Sequence, residues 1–164
     1  MKTILLSIFL GTLVSTSLAQ EKVYDLSKLS KENQLTNVNR NVSIDKDEKG
    51  AYLKVAESKG EGIVWLPIKD FTTGTLTIEM RGKDVLQRSF IGIAFHGQND
   101  STYDAVYCRP FNFYAVDSVR KIHAVQYISH PKFTWKYLRE NRNGEFEKGI
   151  TNAPQPNDWF VMSI

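Results

Sequence analysis

The side chains able to do chemistry gather in two neighbouring stretches, Tyr103–Phe113 (YDAVYCRPFNF) and His123–Glu140 (HAVQYISHPKFTWKYLRE). Tyrosine, arginine, glutamine and tryptophan together form the mixture that receives a sugar ring. A pyranose presents apolar C–H patches, on which aromatic faces pack. It also presents fixed pairs of hydroxyls, which planar guanidinium and amide groups bond two at a time. The candidate ligand-binding residues are therefore His96, Tyr103, Tyr107, Arg109, Gln126, Tyr127 and Trp135. Arg109 precedes Pro110, which restricts its backbone to extended forms and holds it at a strand end. A structural reading of Arg109 stands beside this one: paired with a carboxylate such as Glu147, it would tie a helix to a sheet.

The elements that must position these residues read as strands joined by polar turns. Val42–Asp45 and Ala51–Ala56 flank a turn that ends in Gly50. Gly62–Leu66 is a short apolar run closed by Pro67. In Thr75–Arg81, Leu76, Ile78 and Met80 alternate with polar residues. Ser89–His96, Tyr103–Arg109 and Ile122–Ser129 follow, and Trp159–Ile164 reads as the start of another strand. If Gly97–Thr102 is a hairpin loop, His96 lies opposite Tyr103, Ala94 opposite Ala105, Gly92 opposite Tyr107 and Phe90 opposite Arg109. Ile91, Ile93, Phe95, Val106 and Cys108 then share the other face with Asp104 and form the core. The first face is expected to look outward, with Gly92 and Ala94 leaving a depression that a ring could occupy.

One segment breaks the alternation. In Pro131–Glu140, Phe133 and Tyr137 stand four apart, and Trp135 and Leu138 three apart, which is helical spacing. Pro131 suits a first turn, and Asn143-Gly144 suits a stop. Phe133 and Leu138 are expected to pack against the sheet, and Trp135 is open to a role as a sugar platform. The whole predicts an all-β antiparallel sandwich or jelly roll with one short helix.

The order Arg109-Pro110-Phe111, Gln126-Tyr127 and His130-Pro131, followed by an aromatic helix, resembles a family of exported bacterial proteins. That family is concanavalin A-like in fold, and its members are labelled DUF1080, 3-keto-disaccharide hydrolase or family 16 glycoside hydrolase-like. The resemblance runs from about Val42 to the last residue. It implies a jelly roll acting on or recognising carbohydrate. It also implies further strands beyond Ile164, so that residues 20–164 would form a single incomplete domain.

Hydrolysis needs two carboxylates flanking one bond. The Glu-x-Asp-x-x-Glu strand motif of true family 16 glucanases is absent. Glu79, Glu140 and Glu147 are the candidate catalytic residues, and Glu79 has no carboxylate two or four residues away. Glu145 and Glu147 would lie about 7 Å apart on one strand face, beside the Gly144 turn that suits solvated charges. The readings that remain are a carbohydrate-recognition domain, a glycan-degrading hydrolase and a structural envelope domain.

His96, His123 and His130 lack metal-ligand spacing, so no metal site and no cofactor is expected. Jelly rolls of the resembled class often hold structural Ca²⁺, but Asp45, Asp47 and Glu48 read more simply as a solvated turn. A single cysteine, Cys108, excludes an internal disulfide and reads as a small buried hydrophobe.

Residues 1–19 read as a signal peptide, with a charged start at Lys2, an apolar run from Ile4 to Val14, and Ser17-Leu18-Ala19 before the cut. Removing Lys2 takes the net charge from +3 to +2. That charge is too mild for nucleic acid. No other apolar run would span a membrane, which places the mature protein in the periplasm or outside the cell. The residues fix no oligomeric state.

Overall fold

The computed structural model describes residues 21–69 and 71–164; the expected signal peptide lies outside the described residues. Strands dominate. β1 (Thr36–Val38) pairs with β4 (Ile63–Trp65), and β2 (Val42–Asp47) forms a hairpin with β3 (Gly50–Val55). β5 (Thr77–Arg81) pairs with β10 (Trp159–Ser163), and β6 (Ile91–Asn99), β7 (Thr102–Cys108), β8 (Val125–Ser129) and β9 (Glu147–Lys148) form a four-stranded sheet. All these pairings are antiparallel.

The described residues hold three short helices where the sequence predicts one: α1 (Leu26–Lys31), α2 (Ser118–Ile122) and α3 (Trp135–Asn141). The extra two rest on aspartate caps rather than on apolar periodicity. Asp25 accepts from the amides of Ser27 and Lys28, and Asp117 from that of Arg120. α2 takes Ile122 out of the expected strand. α3 begins at Trp135 rather than at Pro131, because Thr134 caps it by accepting from the Tyr137 amide at 3.2 Å. Gly144 follows with a φ of +77°, a conformation that suits glycine.

The β2–β3 turn is more than a solvated loop. Asp47 accepts from the Trp159 indole at 2.8 Å and from Arg81 at 3.1 Å. The Arg81 guanidinium lies 5.3 Å from the Tyr52 ring and 4.8 Å from the Trp159 ring. This cluster fastens the β2–β3 hairpin to the β5–β10 pair.

The four-stranded sheet packs on both faces. Ile91, Ile93, Val106 and Cys108, on the face the sequence assigns to the core, are joined by Val125 and meet Met80 of β5, Met162 of β10 and Phe113, whereas Phe95, expected among them, stands edge-on to His96 at 4.8 Å. The opposite face, expected to be open, is covered as well. There Tyr103, Ala105 and Ile128 pack against Leu138 of α3 and against Ile63 and Trp65 of β4. Leu138 is the side chain that docks α3. Phe133, expected to pack with it, is exposed and meets Tyr137 edge-on at 5.7 Å.

Candidate functional site

Four residues line up across the sheet on the covered face: Gly92, Tyr107, Gln126 and Glu147, one from each of β6, β7, β8 and β9. Arg109 follows Tyr107 on the same side, because side chains two apart share a face. The strand register expected from Ile91 to Phe95 is the one observed.

Past Phe95 the ladder is interrupted by a bulge, and His96 sits at φ +51°. His96 therefore does not face Tyr103. Its Nδ1 is instead 2.8 Å from Asp104 Oδ2. The depression expected at Gly92 is closed, since a side chain there would meet the Tyr107 Cα at 2.4 Å.

The row is an interlocked polar cluster. Arg109 donates to the His123 carbonyl at 3.0 Å, and to the Tyr107 hydroxyl and Gln126 Oε1 at 3.1 Å each. Gln126 donates to the Tyr127 and Phe146 carbonyls at 2.8 and 3.1 Å. Glu147 Oε1 accepts from Nε and Nη2 of Arg139 at 3.1 and 2.6 Å, and lies 3.9 Å from Arg109. Its Oε2 touches His123 Nδ1. Helix and sheet are thus tied through Glu147, with Arg139 supplying the shorter contacts. Arg109, Gln126 and Glu147 are buried at 5%, 0% and 8% exposure, so they do not form the outward-looking surface that alternation suggests.

Burial sets the protonation of the cluster. It pushes the Tyr107 hydroxyl up and the Arg109 guanidinium down from their ordinary values. Burial first, then the Arg139 and Arg109 charges, hold the His123 imidazole below its usual range. His123 therefore meets Glu147 as a neutral ring near pH 7.

The cluster reaches solvent through its rim. Phe90 is 54% exposed and stands edge-on to Tyr107 at 6.0 Å, with the Arg109 guanidinium 5.9 Å from its ring. Trp135 is 43% exposed, and the Arg139 guanidinium lies 5.2 Å from its ring. Arg139 thus spans from the exposed indole to the buried carboxylate.

At the far end of β7, Tyr103 stacks on His130 at 5.0 Å with the rings 8° from parallel. Glu61 sits beside both, 3.3 Å from the Tyr103 hydroxyl and 3.4 Å from His130 Nε2. Burial and the Glu61 charge push the Tyr103 hydroxyl up to about 12. Trp65 meets Tyr103 edge-on at 6.0 Å.

The remaining candidates are dispersed. Tyr127 pairs with Val106, on the opposite face from Gln126, and stacks at a tilt on Phe146 at 5.8 Å. Glu79 lies on β5, paired with Lys49, and Glu140 lies on α3, 3.9 Å from Lys136. Glu61, His123 and Arg139 belong to the observed clusters without having been singled out from sequence. For His123 and Arg139 the sequence signal was their place in the second motif, His123 at its start and Arg139 four residues after Trp135; Glu61, far from both motifs in sequence, had none. Among the described residues no group of three His, Cys, Asp or Glu side chains could hold a metal ion, and no helix is long and apolar enough to cross a membrane. Two open clefts of about 450 and 520 Å³ flank the Tyr114–Val116 loop and share no residue with the Gly92–Glu147 row. Comparison of the chain with family models, curated proteins and solved structures finds no match.

Proposed function

We propose that this chain is an exported carbohydrate-recognition domain of the concanavalin A-like jelly-roll class, and that its saccharide seats on the rim formed by Phe90, Tyr107, Arg139 and Trp135. One observation carries the reading: two exposed aromatics border a polar cluster that a dense hydrogen-bond network holds still. Aromatic faces take the apolar side of a sugar, and a guanidinium with restricted freedom takes its hydroxyls at small entropic cost. Arg109 and Gln126 act from beneath, fixing Tyr107 and β8 rather than touching the sugar. Tyr103 likewise acts as a packing residue under β4.

The carboxylates favour recognition over hydrolysis. Glycosidases place two of them on either side of the scissile bond. Here Glu147 is neutralised by Arg139, while Glu79 and Glu140 occupy separate elements with lysine partners. A glycan array on the secreted chain tests the reading. The expected result is binding to at least one saccharide class, lost in Trp135→Ala and retained in Val161→Ala, an exposed side chain on β10. Release of product from any bound saccharide would shift the assignment to hydrolysis, and binding indifferent to Trp135 would remove the rim from it.

A further inference from the structure

We propose, resting on the recognition reading above, that the preferred saccharide is acidic and that Arg139 receives its anionic group. The buried cluster is unbalanced. Arg109 and Arg139 bring two positive charges, Glu147 brings one negative charge, and one positive charge is left over (+2 − 1 = +1). The Arg109 and Glu147 side chains are 6% and 3% exposed, so water does little to screen the surplus. An uncompensated charge held out of water is costly, and a counter-anion relieves that cost.

The surplus has one outlet. Arg139 is the only one of the three with substantial exposure, at 35% of its side chain. It commits Nε and Nη2 to Glu147. Nη1 is left free of any hydrogen bond among the described residues, while the guanidinium lies over Trp135. An acidic sugar stacked on the indole would bring its carboxylate or sulfate to that nitrogen. Guanidinium–oxyanion hydrogen bonds are shorter and about twice as strong as neutral ones. The other charged side chains on α3 and at its C-terminal cap are already paired, Lys136 with Glu140 and Arg142 with Glu145. They leave Arg139 as the residue that discriminates.

Calorimetric titration of the full chain with a galacturonate hexamer, a sulfated carrageenan hexamer and cellohexaose tests this. The expected result is that at least one acidic hexamer binds about 10-fold tighter than cellohexaose at low salt. Whichever acidic hexamer binds tighter identifies the anion. Arg139→Gln should weaken all three ligands and abolish the preference, so that the acidic hexamers bind no tighter than cellohexaose in that variant; Arg139→Lys should retain part of the preference, and Trp135→Ala should weaken all three ligands alike. Near-ultraviolet circular dichroism of each variant separates lost binding from lost fold. Equal or tighter binding of cellohexaose overturns the acidic preference and leaves recognition standing. A preference that survives Arg139→Gln overturns the assigned position. Binding of none of the three hexamers, with a glycan array equally blank, overturns both readings together.

Discussion

Glu147 is the residue on which the covered face turns. It accepts from Arg139, lies near Arg109 and touches His123, and with 3% of its side chain exposed it has little access to water to replace a lost partner. Removing one member of a buried ion cluster leaves the others desolvated and unpaired. Glu147→Ala is therefore expected to cost about 3–5 kcal/mol of folding stability, read from urea denaturation. An effect below about 1 kcal/mol would mean that the cluster is solvated. Tyr103 supplies a pH dependence. Burial and the Glu61 charge push its hydroxyl in the folded chain up to about 12 from an ordinary value of about 10. The unfolded state thus loses this proton first as pH rises, so the contribution is fully present below pH 10 and is lost between pH 10 and 12. Tyr103→Phe should flatten stability over that interval, and an unchanged slope would contradict the assignment. Cys108 is buried, and its thiol is pushed up to about 11. A thiol-reactive reagent at pH 7 should leave it unmodified in the native chain and label it fully in denaturant. At this scale the sequence named the Arg109–Glu147 partnership. It could not name Arg139, His123 or Glu61, because their partners are set by how α3 and β4 lie on the sheet and not by any local spacing.

The elements explain which parts of the site were readable. The β6–β7 register from Ile91 to Phe95 followed from two alternating strands around a short polar loop. The bulge that carries His96 to the Asp104 side did not follow, since nothing in the loop residues demands a positive φ at a histidine. α3 was legible as a helix. Its start was misplaced because Thr134 caps it, so that Pro131, expected in the first turn, lies before the helix. Its orientation depends on Leu138, the buried side chain of the helix, which packs with Tyr103, Ala105 and Ile128. Leu138→Ala should cost about 2–5 kcal/mol by opening a cavity under the helix. It should also weaken saccharide affinity, because Arg139 and Trp135 ride on the same helix. A stability loss with affinity intact would show that the rim does not need α3 held in place.

For the whole molecule, the predominance of strands was apparent from alternation and turn residues, while the covering of both sheet faces was not. A strand reading Tyr103-Ala105-Tyr107-Arg109 on one side looks half-exposed, since polar residues on one face usually mark solvent. Here those polar residues are enclosed because they satisfy one another: Arg109 by Tyr107, Gln126 and the His123 carbonyl, and Glu147 by Arg139. Sequence alternation cannot distinguish a solvated polar face from a buried, mutually bonded one. The result is a sheet whose far layer is largely apolar and whose near layer joins an apolar patch around Leu138 to a hydrogen-bonded charged cluster, which reaches solvent at Phe90, Arg139 and Trp135. That rim is the central claim, and nuclear magnetic resonance tests it most directly. The full chain, labelled with ¹⁵N, is titrated with the acidic and neutral hexamers while the Trp135 indole N–H and the Arg139 Nε–H signals are followed. Saturable shifts at both, alongside the amides of Phe90 and Tyr107, are the predicted result. Shifts confined to the Tyr114–Val116 clefts, or none with any saccharide, would contradict it.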